Sequence, residues 1–339
     1  VQRRAFICGL SGLALTPAER DFLGQAHPAG LILFARNVES PDQVRRLIAD
    51  AKEAAGGDGR MLVMVDQEGG RVQRLREPHW PRYPAARAFS NLRRDDRERA
   101  KEAAYLCARM MAHDLHDLGF NTTCAPVLDV PVPGADNIIG DRAYAEEARA
   151  VIELGGAVAD GLLAGGILPV MKHIPGHGRA MADSHLALPV VDTPLPELEA
   201  HDFAPFQALR HLPVAMTAHV VFTAVDPSAP VTTSGKAIGE VIRGRIGFDG
   251  LLMSDDLSMR ALSGTLAERA RASLAAGCDL ALHCNGIMDE MVAVAAAAPY
   301  LEGKALRRFD AALAQLQEPQ AFDRGAAEQA RLELLVERI

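Results

Sequence analysis

Eight short apolar runs recur along the chain, at residues 5–10, 30–35, 61–66, 120–127, 167–173, 213–219, 251–255 and 279–284. A strand with one wet face alternates apolar and polar side chains; these runs scarcely alternate, which predicts parallel strands covered on both faces. The segments between them carry helical spacing. After Ser40-Pro41 the apolar residues Val44, Leu47, Ile48 and Ala51 fall at i, i+3, i+4 and i+7. Residues 95–118 predict a long helix stopped by Gly119, and 146–163, 194–209, 237–246, 266–276 and 288–298 predict further helices. Strand and helix alternate throughout. Eight such units predict a single closed (β/α)8 TIM barrel, whereas an open doubly wound sheet normally uses fewer strands. Residues 305–339 are helix-like and charged, and predict a C-terminal helical appendage on the outside of the barrel. With no low-complexity linker or tandem repeat, residues 1–339 are expected to form one domain.

Arg3 and Arg4 before the apolar residues 5–15 superficially resemble a secretory signal. Gly9, Ser11 and Gly12 interrupt the run, and Thr16-Pro17-Ala18-Glu19 has the form of a helix start, with Thr16 as N-cap and Glu19 completing a capping box. The segment is therefore expected to be the first barrel strand. No apolar run reaches the length of a membrane span. The net charge of −8, with Lys and Arg scattered, gives no nucleic-acid footprint. Five cysteines without CxxC spacing, mostly inside apolar runs, point to buried free thiols in a reducing compartment, hence a cytoplasmic protein.

In such a barrel the active site lies at the C-terminal ends of the strands. The polar residues closing the runs are Asp66, Lys172, His173, His219 and Asp255. The densest segment is Lys172-His173-Ile174-Pro175-Gly176-His177-Gly178, followed by Arg179-Ala180-Met181-Ala182-Asp183-Ser184-His185. Asp183 and His185 are two apart, so in an extended loop a carboxylate can hold an imidazole N–H and tune it for proton transfer. In Ser254-Asp255-Asp256 only one carboxylate is expected to face the barrel mouth, as nucleophile, general base or metal ligand; a helix cap or loop salt bridge is the plainer alternative. In Asp66-Gln67-Glu68-Gly69-Gly70-Arg71-Val72-Gln73-Arg74, Asp66 could accept and Arg74 donate hydrogen bonds to hydroxyls, with Glu68 and Arg71 as ordinary surface charges. Arg142, after the fourth run, could bind a carboxylate or hydroxyl, or simply be solvated.

Together these segments resemble the β-N-acetylglucosaminidases of glycoside hydrolase family 3, in order from Asp66 to Asp255. The histidine-rich segment carries most of the likeness: family members typically read K-H-F-P-G-H-G and then D-S-H. Ile174 stands here where Phe is usual, and Arg179-Ala180 where Asp-Thr is frequent. The resemblance implies a retaining hydrolase of terminal β-N-acetylglucosamine. Asp255 would be the nucleophile and His185 the general acid/base oriented by Asp183. Asp66, Arg74, Arg142, Lys172 and His173 would bind the sugar. It further implies a muropeptide substrate, N-acetylglucosamine linked to 1,6-anhydro-N-acetylmuramic acid, in cytoplasmic cell-wall recycling. No cofactor or metal, and a monomer without a nucleic-acid or membrane partner, are expected. Many family 3 glucosidases add a second domain that supplies a glutamate acid/base; the imidazole-based form dispenses with it. Two other readings stay open on the residues alone. One is a metal-dependent barrel hydrolase using His173, His177, His185, His219 and Asp255, although no H-x-H or H-E-x-x-H pair is present. The other is a non-catalytic sugar-binding barrel.

Overall fold

The computed structural model describes residues 1–184 and 186–336. Each of the eight apolar runs supplies one barrel strand: β1 Arg4–Gly9, β2 Pro28–Leu33, β3 Leu62–Val65, β4 Thr122–Thr123, β5 Leu168–Ile174, β6 Val214–Thr217, β7 Leu251–Asp256 and β8 Leu280–His283. They pair in chain order, all parallel, and β8 closes on β1 with Ala281 opposite Phe6. Burial explains the absence of alternation. Ile7, Ile32, Met64, Val170, Met216 and Met253 fill the barrel, while their neighbours Phe6, Leu31, Val63, Met171, Ala215 and Leu252 join the layer beneath the helices. Both faces exclude water, so both are apolar.

The first helix, Pro17–Ala26, starts as its sequence requires. Thr16 Oγ1 accepts the Glu19 N–H at 3.2 Å, and the Glu19 carboxylate accepts the Thr16 N–H at 2.9 Å. The long helix is Arg97–Asp117, capped by Asp96 and followed by Gly119 at φ 93°. All five cysteines are buried and free. Among the described residues no helix is long and apolar enough to cross a membrane.

Four features differ from the expected pattern. The fourth run is a regular strand only at Thr122–Thr123, because Pro126 offers no N–H. Its backbone still bonds to β5, with Val170 N–H donating to Ala125 O at 2.9 Å and Leu128 N–H to Lys172 O at 2.7 Å. The helix expected over 194–209 divides into Leu195–Ala200 and Ala204–Ala208, since Pro205 is tolerated only in a first turn. Residues Ala237–Arg245 wind as a π-helix. The appendage is two helices, and the first is not peripheral. Gly303–Leu313 places the fully buried Phe309 and Ala312 in the same cluster as the barrel interior. Arg308 of that helix pairs with Asp249 and Asp279, which flank the starts of β7 and β8. This helix therefore seals the N-terminal end of the barrel, while Arg324–Val336 lies against Arg97–Asp117 on the outside.

Candidate active site

An open pocket of about 410 Å³ lies at the C-terminal ends of the strands. Asp66, Arg74, Arg142, Lys172, His173 and Asp255 all line it, so six of the eight residues expected to form the site converge. Asp183 lies nearby in sequence on the loop that follows β5 but is not part of that lining. His185 lies outside the described residues. Ser184 from the same loop does reach the pocket, and its Oγ is 3.1 Å from His177 Nε2.

One wall is an interlocked charge cluster. Asp66, just beyond β3, accepts from Arg74 Nη2 at 3.0 Å and Lys172 Nζ at 3.3 Å. Glu68 accepts from Arg142 Nε and Nη2, both at 2.9 Å, and is 2.5 Å from Lys172 Nζ. Burial opposes ionisation of both carboxyls, but Lys172 with Arg74 holds Asp66, and Lys172 with Arg142 holds Glu68, below the usual range. Burial likewise works against the Lys172 ammonium, yet Glu68 and Asp66 push its pKa up. The cluster is thus fully charged. Buried Arg74 Nε has no partner among the described residues. Much of the Arg142 fork is committed to Glu68, which restricts what it can offer a ligand.

Glu68 is the clearest correction to the sequence reading. It is buried at the centre of the cluster, not an ordinary surface charge, whereas Arg71 is exposed as expected but also pairs with Asp141 and reaches the edge of the pocket. Nothing in the spacing marked Glu68; the antiparallel pair Gln67–Gly69 and Val72–Gln73, which turns it inward, has no distinct apolar pattern.

On another wall Asp255, near the end of β7, has its Oδ1 bonded by the Asp256 N–H at 2.7 Å and its Oδ2 4.0 Å from His173 Nε2. Burial opposes its ionisation, but His173, His219, the Asp256 N–H and Lys172 outweigh it, so the carboxyl sits below its usual range. Asp256 also touches the pocket, contrary to the expectation that only one of the two would. Its carboxylate is occupied by the N–H groups of Ser258 (3.1 Å) and Cys284 (3.2 Å). His219 is fully buried, its Nδ1 2.7 Å from Thr232 Oγ1 and its Nε2–H donating to the Asp256 carbonyl at 3.0 Å. It supports β7 and does not line the pocket.

The turn after β5 is shaped by its glycines. Gly176 sits at φ 145°, and a Cβ on Gly178 would lie 2.1 Å from the Val130 carbonyl oxygen. This close approach brings in Asp129, a fully buried residue that the strand ends did not flag, because the fourth run was read only to Val127. Among the described residues no three His, Cys, Asp or Glu side chains gather as a metal-binding group.

Residues 10–318 match the Glycosyl hydrolase family 3 N terminal domain. A β-hexosaminidase of Alkalilimnicola ehrlichii is 42% identical over 281 residues, covering 82% of this chain and 79% of that protein. NagZ from Neisseria gonorrhoeae, solved in complex with N-trifluoroacetyl-D-glucosamine, has a TM-score of 0.89 at 32% identity over 99% of each chain. A family 3 β-N-acetylglucosaminidase from a Paenibacillus species has a TM-score of 0.81 at 31% identity, over 96% of this chain and 61% of that one.

Proposed function

The chain belongs to glycosyl hydrolase family 3, and from that premise we propose that it is a β-hexosaminidase that removes terminal β-N-acetylglucosamine with retention of configuration. The observation that carries this reading is an ionised Asp255 opening onto one pocket with the Asp66–Arg74–Lys172 cluster. A carboxylate in that state is a competent nucleophile, and a fixed array of charged donors and acceptors suits sugar hydroxyls.

In the reaction, an Asp255 oxygen forms a bond to C1 of the sugar. The bond from C1 to the leaving oxygen breaks, its electron pair stays on that oxygen, and His185, oriented by Asp183, supplies the proton. Water then attacks C1 while His185 takes its proton, and the ester bond breaks to regenerate the Asp255 carboxylate. Retaining enzymes usually employ two carboxyl groups about 5 Å apart; here an imidazole replaces one. Asp66, Arg74, Arg142, Lys172 and His173 hold the sugar, with Glu68 fixing Arg142 and Lys172. The family likeness supports a muropeptide, N-acetylglucosamine on 1,6-anhydro-N-acetylmuramic acid, as the natural substrate in cytoplasmic cell-wall recycling, with the enzyme acting as a monomer. The packing of Phe309, from the helix Gly303–Leu313, into the barrel-interior cluster supports residues 1–339 acting as one catalytic domain.

These roles make activity bell-shaped in pH, with Asp255 ionised and His185 protonated. His185→Ala should slow an unactivated β-N-acetylglucosaminide far more than a dinitrophenyl glycoside, whose leaving group needs no proton. Equal losses on both substrates would remove His185 from the acid role.

A further inference from the structure

The His173 ring has a carboxylate on each side. Asp129, fully buried in the loop after β4, has Oδ2 2.7 Å from His173 Nδ1. Its Oδ1 accepts the backbone N–H of His173 at 3.2 Å and of His177 at 2.7 Å. Burial opposes ionisation of Asp129, but the facing His173 and His177 rings and these hydrogen bonds hold it below the usual carboxyl range. An ionised Asp129 therefore takes the Nδ1–H. Across the ring, Nε2 is 4.0 Å from Asp255 Oδ2. A neutral imidazole has a single N–H, so with Nδ1–H committed, Nε2 would turn a lone pair towards a second carboxylate. A doubly protonated ring presents an N–H on both sides.

We propose that Asp129 is a positioning residue for catalysis: it keeps the His173 ring doubly protonated, with Nε2–H turned towards Asp255, so that a fixed cation stands beside the nucleophile. The inference rests on the reading of Asp255 as nucleophile. Other groups also face this pair. Lys172 on β5, His219 after β6 and the Asp256 N–H act on Asp255, and the His177 ring lies 5.7 Å from that of His173. The thiols of Cys124 and Cys284 feel the Asp255 charge, but burial pushes both well up, so they stay neutral. Lys172 is tied to Glu68 and Asp66, and burial disfavours charge on His219 and His177. None of these three bonds to the Asp129 side-chain carboxylate through its own side chain among the hydrogen bonds of the described residues. His173 is therefore the ring whose own nitrogens face Asp129 on one side and Asp255 on the other.

The test is the pH dependence of inactivation by a 2-deoxy-2-fluoro glycosyl donor carrying a dinitrophenyl leaving group. That step needs no general acid and so follows Asp255 alone. In Asp129→Asn the acid limb should move up by about one pH unit, because the cation next to Asp255 is lost. His173→Gln should move it equally, and the double variant no further. A lower plateau with an unmoved limb would overturn the proposal and leave Asp129 a structural residue. Should Asp129→Asn fail to fold, ¹⁵N-histidine NMR of the unaltered protein at pH 7 decides instead. Both ring nitrogens of His173, assigned by their loss in His173→Gln, are expected to be protonated, and a neutral tautomer would overturn the proposal. If the unaltered protein formed no adduct on Asp255, the nucleophile assignment itself would fall, and the NMR result would still decide the state of His173 separately.

Discussion

At the scale of single residues, the site is a set of charges that stay charged because each has an opposite partner. Glu68 shows the dependence most sharply. Its side chain is 7% exposed and meets both Arg142 and Lys172, so removing its charge leaves Arg142 without a carboxylate partner and Lys172 with only the longer contact to Asp66. Glu68→Gln should lower the unfolding free energy by about 3 kcal/mol in urea denaturation, and weaken substrate binding as Arg142 and Lys172 lose their anchor. A change below about 0.5 kcal/mol, the size expected of an exposed pair, would contradict this. The sequence made Asp66, Lys172, His173 and Asp255 legible because each closes an apolar run, and barrel geometry assigns such positions to the mouth. Glu68 and Asp129 were not legible. Each lies two residues beyond a positioned residue, Asp66 or Val127, where the chain has left the strand and local turns decide which way a side chain points.

At the scale of elements, the periodicities located the strands and most helices, since burial on both faces leaves a strong apolar signature. Proline placement accounts for two departures: Pro126 cuts β4 short, and Pro205 divides a helix. The inward role of Gly303–Leu313 was hidden for a different reason. One amphipathic helix looks the same whether its apolar stripe covers the barrel wall or plugs its end. Phe309 settles which, being fully buried in the cluster that fills the barrel. Phe309→Ala should therefore cost about 3–5 kcal/mol of stability, as a core aromatic does. A thermal melt within a degree or two of the unaltered protein would instead place this helix outside the core.

At the scale of the whole molecule, the buried imidazoles couple stability to pH. Burial, aided by the neighbouring His173, pushes the His177 pKa down to about 4 from its ordinary 6.5. The unfolded chain thus takes up this proton near pH 6.5, and the folded chain does so only near pH 4. Between those values the unfolded state binds more protons, so stability is full above the upper value and is lost as pH falls to the lower one. Burial lowers the His219 pKa as well, adding in the same sense. From pH 6.5 to pH 5, above the titration of ordinary carboxylates, the His177 contribution alone should be about 1.5 kcal/mol. Urea denaturation at the two pH values should show a shallower loss in His177→Gln than in the unaltered protein, and identical slopes would contradict the account. The central claim, however, concerns chemistry at one atom pair, the Asp255 carboxylate and the anomeric carbon. Its most direct test is incubation with the 2-deoxy-2-fluoro donor, followed by proteolysis and mass spectrometry. The expected result is one glycosylated peptide with the sugar on Asp255, and no labelling in Asp255→Ala. A stable adduct on any other residue, or undiminished turnover in Asp255→Ala, would contradict it.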